Sequence, residues 1–190
     1  PTFAASADGK QLAVTAKNVA GITLVRVADG APGKILPAPS RQAQRLVFSP
    51  DGASLAIMDD GDEQSRLWLI DVRDGAVRWS QPGVFTDVVF SPDGRRLFTG
   101  VKRTRKFMTL AAESGETLQV RNANVYCLAR SHDGLRLAVG LYDGDVEIVD
   151  ITTGEIVRRA RLHTGKVERV AWTARDHLLT DIAALGVAHE

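Results

Sequence analysis

The sequence predicts an all-β chain assembled from repeated four-stranded antiparallel units, and three observations support this fold class. The first is a repeated sequence motif that contains an Asp-Gly pair, and the glycines of this pair are Gly9, Gly52, Gly94 and Gly134. The spacings are 43, 42 and 40 residues, and a decayed copy follows at 169–180. Repeats of this length indicate one supersecondary unit that is stacked on copies of itself.

The second observation is another sequence motif, which follows the first at a nearly constant spacing along the chain. Its glycines are Gly30, Gly75, Gly115 and Gly154. Two phrases that keep one period are a much stronger signal than one. The third observation is that nothing in 1–180 has the apolar spacing or the caps of a long helix, whereas alternating patterns between turn residues predict short strands.

The second repeat shows the predicted elements best, and we label the four strands of each repeat A to D. In this repeat A is predicted at 45–49, B at 55–58, C at 66–71 and D at 76–80. A tight hairpin needs a residue with positive φ, which Gly adopts without steric cost, while Asp caps its own turn. The glycines of the A–B turns are therefore predicted to be structural residues: Gly52, Gly94 and Gly134.

A four-stranded sheet of about 40 residues cannot bury both faces alone, so such sheets pack on one another. Radial packing of this kind gives a β-propeller, whose sheets are called blades. The predicted blades span about 1–42, 43–85, 86–125 and 126–165, with a partial fifth at 166–180 and a tail or truncated strand at 181–190. We expect mainly apolar packing to hold them, through Leu46, Phe48, Leu55, Ile57, Leu69 and Val89.

The ring that these blades form is predicted to be incomplete. A chain of 190 residues with a 42-residue period holds about 4.5 blades, whereas propellers close with about 4–8. Three explanations stay open. The chain is a fragment of a longer propeller, or it completes a ring by associating with another chain, or four blades close and a tail follows.

The repeats resemble those of the WD-repeat β-propeller family over about 1–180. The matching segments are the A–B turns at 48–52 and 90–94 and the blade entry at 162–167, which contains a histidine. The resemblance implies a propeller fold, a role in protein–protein interaction, and structural roles for His163, Asp71 and Asp150.

The chain also departs from the family's pattern. Ile70 and Val149 stand where strand C usually carries Trp, and only the fifth unit has the entry histidine. The hydrogen-bond network that the family builds on these residues is therefore expected to be incomplete in every blade. Trp68 lies two positions before the usual Trp, so it is either an exposed partner contact or a side chain that fills a groove between blades.

Charged residues are predicted to collect on one rim of the propeller. Because successive strands alternate in direction, the B–C loops and the D–A connections share one rim, and the A–B and C–D turns share the other. The charged candidates for partner contact on the first rim are Asp59, Asp60, Asp62, Glu63, Lys102, Arg103, Arg105, Lys106, Asp143, Asp145, Arg158, Arg159, Arg161 and Lys166. Solvated loops whose opposite charges pair weakly, by about 0–1 kcal/mol each, are the structural alternative to a docking face on which charge sets partner choice.

The basic loop 102–106 carries four cations in five residues and is the sharpest candidate contact. The loop also suggests nucleic-acid binding as an alternative function, because contacts with phosphate groups depend on such cations. Few aromatic residues lie nearby and the flanking loops are acidic, so this alternative is disfavoured.

Catalytic and metal-binding patterns are absent from the sequence. The four histidines are not spaced at i, i+3 or i+4, and no nucleotide-binding, hydrolase or zinc motif occurs. The single cysteine, Cys127, excludes an internal disulfide and is expected to be a buried, inert thiol in a strand A.

Composition and motifs together predict a non-catalytic scaffold that presents propeller loops to a protein partner. The main alternative is an accessory sensor or gating propeller within a larger enzyme. No cofactor is predicted. The net charge of +1 does not favour binding to a polyanion by bulk charge. Because no apolar stretch of about 20 residues is present, the chain is not predicted to span a membrane. A lone thiol and no visible targeting segment favour the cytoplasm.

Overall fold

The computed structural model describes residues 2–15, 21–39, 43–59, 64–175 and 177–182, and every regular element in them is a β-strand. Four sheets have four strands and a fifth has two, each sheet running through its strands in chain order. No helix in the described part of the chain is long and apolar enough to cross a membrane. The all-β fold class with repeated antiparallel blades is therefore confirmed.

The strands of each blade are joined by antiparallel pairing throughout. Blade 1 comprises β1 (Thr2–Ala5), β2 (Gln11–Thr15), β3 (Ile22–Arg26) and β4 (Pro32–Leu36). Blade 2 comprises β5 (Ala43–Phe48), β6 (Ser54–Asp59), β7 (Arg66–Asp71) and β8 (Val77–Pro82). Blade 3 comprises β9 (Phe85–Phe90), β10 (Arg96–Val101), β11 (Lys106–Ala111) and β12 (Thr117–Asn122). Blade 4 comprises β13 (Val125–Arg130), β14 (Arg136–Leu141), β15 (Asp145–Asp150) and β16 (Ile156–Arg161), and blade 5 comprises β17 (Val167–Trp172) and β18 (Leu178–Ile182).

These bounds adjust the sequence-based expectation at several ends. Strand C of blade 2 lies at Arg66–Asp71 as predicted, whereas strand A begins two residues earlier and strand D ends two residues later. β18 runs to Ile182, so the segment that we set apart as a tail starts inside a strand. Patterning does not reveal such ends because backbone pairing continues past the last apolar side chain.

The inner strands lie side by side in chain order, from β1 through β5, β9 and β13 to β17. Apolar clusters fill the spaces between successive blades. Leu46, Phe48, Leu55 and Ile57 lie in the cluster shared by blades 1 and 2, and Leu69 lies in the cluster shared by blades 2 and 3. All five are at most 6% exposed. Val89 is only half-buried, at the edge of the cluster between blades 3 and 4.

A serine shapes every complete A–B turn together with the predicted Asp-Gly pair. In blade 2 the Ser49 hydroxyl donates to Asp51 Oδ1 (2.5 Å) and accepts from the Ser54 amide (2.9 Å), while Asp51 accepts from the Ala53 amide (3.0 Å). The same bonds recur around Ser6, Ser91 and Ser131. The structural glycines Gly52, Gly94 and Gly134 have φ values of 71°, 69° and 75°, in the left-handed region that the hairpin requires.

Candidate interaction surface

The meander places the two kinds of loop on opposite rims of the blades. Asp145, which begins strand C of blade 4, lies directly opposite Arg161, which ends strand D. The B–C loops and D–A connections therefore share one rim, which we call the docking rim. Its described segments are 21, 37–39, 64–65, 83–84, 102–105, 123–124, 142–144 and 162–166. The predicted contacts Asp60, Asp62 and Glu63 lie outside the described residues.

Four charged residues on the docking rim of blade 4 are joined in one ion-pair cluster. The Arg159 Nε donates to Asp145 Oδ2 (2.7 Å), and the Arg161 Nε donates to Asp145 Oδ1 (3.0 Å). Arg159 also reaches Asp143 Oδ2 at 3.5 Å. Hydrogen bonds from Arg159 and Arg161 lower the pKa of the Asp145 carboxyl. These four charges satisfy one another, so they present little unpaired charge to a partner.

The same cluster extends into the interior through Glu147, which the sequence analysis missed. The Glu147 side chain is 2% exposed and pairs with Arg159 Nη1 (3.3 Å) and with Arg121 Nη2 (2.6 Å). Arg121 belongs to blade 3 and lies over the Phe107 ring, 4.6 Å from its centroid. Glu147 thus links two blades by charge. Its signal in the sequence is an acidic residue in the middle of strand C, between the apolar residues Val146 and Ile148.

The basic loop 102–105 is a tight turn held to the neighbouring connections by its backbone. The Lys102 amide donates to the Val84 carbonyl (2.8 Å), and the Arg105 carbonyl accepts from the Ala123 amide (3.0 Å). Arg105 has a φ of 51°, the left-handed value that few residues other than Gly adopt. Lys106, at the start of β11, donates to Asn122 Oδ1 (2.5 Å).

A cavity of about 450 Å3 opens among the strands A of blades 2 to 5, and we call it the channel mouth. In blades 2 to 4 its lining residues come mainly from the first half of strand A, which begins at the docking rim. Asp87 lines this cavity, and its carboxylate contacts both neighbouring blades. The carboxylate pairs with Arg45 Nε (2.5 Å) in blade 2 and accepts from the Leu128 amide (2.8 Å) in blade 4. Burial raises the pKa of Asp87, while Arg45 acts in the opposite direction.

Arg45 and Asp87 were not among the predicted site residues, although the repeats contain a signal for them. Both stand seven residues before the glycine of their A–B turn, as do Cys127 and Thr2. Aligning the repeats on that glycine would have shown a polar position inside an apolar strand. Cys127 is buried there, and burial followed by the charge of Asp87 raises the pKa of its thiol to about 12. The thiol is therefore protonated and unreactive at neutral pH.

Trp68 is half-buried and packs against the apolar cluster between blades 1 and 2. Its indole Nε1 donates to Asp59 Oδ2 (3.0 Å), and the Arg66 guanidinium lies 5.4 Å from the ring centroid. The structure thus places Trp68 in the groove-filling position, with Asp59 committed to its indole.

Three residues with expected structural roles lie at turns and loops. His163 Nε2 lies 2.8 Å from Thr180 Oγ1, so the loop before β17 is tied to β18. Asp71 accepts from Arg78 Nη2 and from the Arg73 amide (both 2.8 Å). Asp150 accepts from the amides of the two threonines that follow Ile151, at 2.8 and 2.9 Å. Both aspartates thereby close C–D turns on the rim opposite the docking rim.

The remaining predicted contacts separate from the cluster. Lys166 pairs with Glu168 (2.8 Å) and lies 4.8 Å from the ring centroid of Tyr126, at the channel mouth. Arg158 projects from the other face of β16 and lines a groove beside blade 5. The basic loop and Lys166 therefore lie on the docking rim, with Lys166 at the channel mouth, whereas Arg158 belongs to a different surface.

Comparisons with known proteins agree with this architecture. Residues 119–175 match the family model for the anaphase-promoting complex subunit 4 WD40 domain. An uncharacterized WD repeat-containing protein of Synechocystis is 34% identical over 104 residues, covering 52% of this chain and 28% of that protein. The WD repeat-containing protein SL1-17 of Schistosoma mansoni is 32% identical over 108 residues, covering 54% and 35%. The chain thus spans about a third or less of the length of these relatives.

The structural comparison gives the same fold. The chain is similar to Kuenenia stuttgartiensis hydrazine synthase, with a TM-score of 0.76 and 18% identity over 92% of this chain and 53% of that one. At this identity the likeness concerns the fold alone. WD-repeat domains generally mediate protein–protein interaction and are generally non-catalytic. The chain is therefore similar in sequence to WD-repeat proteins, and its repeated four-stranded antiparallel blades are consistent with a WD-repeat propeller.

Proposed function

We propose that this chain is a non-catalytic scaffold that presents its docking rim to a protein partner. The observation that carries the proposal is the basic loop 102–105, an exposed turn of the docking rim whose backbone is held by the neighbouring connections. On the same rim, the described acidic groups of blade 4 are engaged by Arg159 and Arg161. The described part of the rim therefore offers positive charge together with a concave opening.

The conformation of the loop supports this reading. Its backbone is held at Val84 and Ala123, so the cations project from a defined turn. Charge that is positioned in this way contributes to partner choice and association rate more than to raw affinity. We expect binding that weakens with rising ionic strength, because exposed charges are screened within about 8 Å at physiological salt.

The test compares two variants with the same change in charge. One replaces the loop cations Lys102, Arg103, Arg105 and Lys106 by Ser. The matched control replaces four cations of the opposite rim by Ser: Lys10, Arg73, Arg95 and Arg175. Immobilised wild-type protein and both variants are exposed to one lysate, and the captured proteins are quantified by mass spectrometry.

We expect the wild type and the opposite-rim variant to capture the same proteins, and the loop variant to lose them. Equal capture by all three proteins would refute a role for the basic loop. If the loop variant lost nucleic acid instead of protein, the disfavoured nucleic-acid reading would replace this one.

A second proposal is that the chain serves as an accessory propeller of a larger enzyme. This proposal is supported by the share of its relatives that the chain covers, since the chain matches only 28% and 35% of their lengths. The reading frame of the full-length protein separates the two proposals, because an accessory propeller requires a catalytic domain in the same polypeptide.

A further inference from the structure

The junction between blades 2 and 3 is filled on its outer side by one aromatic side chain. The indole of Trp79, in strand D of blade 2, lies against the C–D turn of blade 3, where a Cβ added to Gly115 would come within 2.7 Å of the ring. The indole Nε1 donates to the Ala112 carbonyl of the same turn (2.8 Å). A ring that rests on a glycine thus closes the outer side of this junction.

The junction between blades 3 and 4 has a smaller side chain in the same place. Gln119 and Trp79 both stand four residues after the glycine of their C–D turn. The Gln119 carboxamide lies against Gly154, with Oε1 2.8 Å from the position of an added Cβ. A cavity of about 210 Å3 remains, which we call the side pocket, and its lining residues are Phe107, Gln119, Val120, Arg121 and Gly154. All four strands of both blades are described, so the side pocket lies between two complete blades.

The lining of the side pocket suits an aromatic ring. Phe107 is 5% exposed, and the Arg121 guanidinium lies over its ring, 4.6 Å from the centroid. Glu147 holds that guanidinium in place (2.6 Å). Aromatic and guanidinium groups attract a further ring by stacking and by cation–π interaction. The pocket is smaller than the about 300–1,000 Å3 of sites that hold a whole small molecule, so its size fits a single side chain.

Strand β12 borders the side pocket and has an unprotected outer edge. It pairs on one side only, with β11. Outer strands are commonly protected by prolines and charges, and those of blades 1, 2 and 4 carry Pro32, Lys34, Arg78, Pro82, Arg158, Arg159 and Arg161. In contrast, 117–120 contains no charge and no proline, and Leu118 and Val120 are 50% and 51% exposed.

Opposite charges lie at the two ends of β12. The C–D turn before it carries Glu113 and Glu116, both exposed. The basic loop lies at the other end, because the Ala123 amide donates to the Arg105 carbonyl (3.0 Å). A strand added to β12 is therefore complementary in charge if it carries cations near the glutamates and carboxylates near the basic loop.

We propose that β12 and the side pocket bind an extended segment of a partner protein, which pairs with β12 and inserts one indole or phenol ring into the pocket. Pairing supplies backbone hydrogen bonds to the outer edge, and the inserted ring supplies specificity. The residues next to the ring point to the other face of the sheet, where Val120 lies. This inference goes beyond the docking-rim function and shares only the basic loop with it.

The test uses a fluorescein-labelled synthetic peptide, EETVWVTKK, added to the intact 190-residue protein. The peptide carries the ring at its centre, apolar residues on either side of it and opposite charges at its ends. Binding is followed by fluorescence anisotropy at low and at high salt. We expect one peptide per chain and weaker binding at high salt. A control peptide with Ser in place of Trp should bind at least about tenfold more weakly, because a buried aromatic anchor carries much of the binding energy.

Two pairs of protein variants locate the site. Gln119→Trp fills the pocket as Trp79 fills its own junction, so it should raise Tm and weaken peptide binding at least about tenfold. Ile35→Trp adds the same side chain to β4, at a position that is 65% exposed, and should leave the affinity unchanged. Val120→Lys places a charge on the edge of β12 and should weaken binding, whereas Ile35→Lys should not.

The charge pattern has its own variant. Replacing Glu113 and Glu116 together by Lys places like charges against the basic end of the peptide, so binding should weaken severalfold at low salt, and the difference from the wild type should shrink at high salt.

The proposal is overturned if the parent peptide does not bind saturably, or if the Trp and Ser peptides bind equally. It is also overturned if Gln119→Trp binds the peptide as tightly as Ile35→Trp does. If Gln119→Trp does not fold, equal binding by Val120→Lys and Ile35→Lys has the same consequence. None of these variants alters the basic loop, so failure here is distinct from failure of the docking-rim proposal.

Discussion

The Asp87 carboxylate joins three blades, and its replacement by Asn tests how the inner strands are held. Besides Arg45 and the Leu128 amide, it accepts from its neighbouring amide, that of Val88, at 2.8 Å. Asn has nearly the same shape, but one of its two side-chain heavy atoms donates instead of accepting. One buried backbone amide therefore loses its acceptor in Asp87→Asn.

The magnitude follows from three contributions. An unsatisfied buried amide costs about 1–3 kcal/mol. Arg45 is about half exposed, with 45% of its side chain accessible, so losing its ion pair adds no more than about 1 kcal/mol. Burying a neutral amide costs less than burying the carboxylate, whose pKa burial raises. We expect a net loss of about 2 kcal/mol, which lowers Tm by about 4–8 °C for a chain of this size.

Urea unfolding followed by tryptophan fluorescence measures this loss at pH 7. Arg45→Ala and the double variant complete the cycle. Arg45→Ala leaves the buried carboxylate without its cation, so the double variant should be less destabilised than the sum of the single ones. A stability of Asp87→Asn at or above that of the wild type would refute the reasoning, since desolvation would then outweigh the hydrogen bonds.

Three further predictions concern turns and packing. Gly100→Ala should cost about 2–3 kcal/mol in urea unfolding, because the new Cβ would lie 2.6 Å from that of Val125; Gly165→Ala, with nothing within 4 Å, is the control, and equal losses would contradict the packing argument. Glu147→Gln should cost about 2 kcal/mol by the same assay, and a stability unchanged within error would mean that the buried ion pairs contribute nothing. The Ser49 hydroxyl and then the Ala53 amide lower the pKa of Asp51 below 3.8, so the stability that its ionised form contributes is present above that value and declines as pH falls through the folded-state pKa. The stability difference between wild type and Asp51→Asn, below about 1 kcal/mol at pH 6, should therefore shrink at pH 3 and below, and a difference that grows would contradict the assignment.

The repeat period and its turn residues were sufficient to predict the blades. Gly52 and Gly94 recur because a tight hairpin requires positive φ. This requirement is local, so it can be predicted from the sequence. The apolar positions Leu55 and Ile57 were likewise predictable, because alternation along a strand states which side chains share a face.

The pairing of charges was not predictable in the same way. The sequence pattern predicted that Asp143, Asp145, Arg159 and Arg161 lie on one rim. It did not predict which of these residues form ion pairs with one another. Their register across β15 and β16 joins them into a cluster.

The sequence by itself determined the fold class, the repeat and the rim on which each loop lies, since these follow from local dihedral preferences and strand direction. Only the tertiary structure decided which features lie between blades, such as the Asp87 network. Those features join residues about 40 positions apart, from one repeat to the next. Their energies depend on burial and hydrogen-bond geometry, which the packing of neighbouring blades creates.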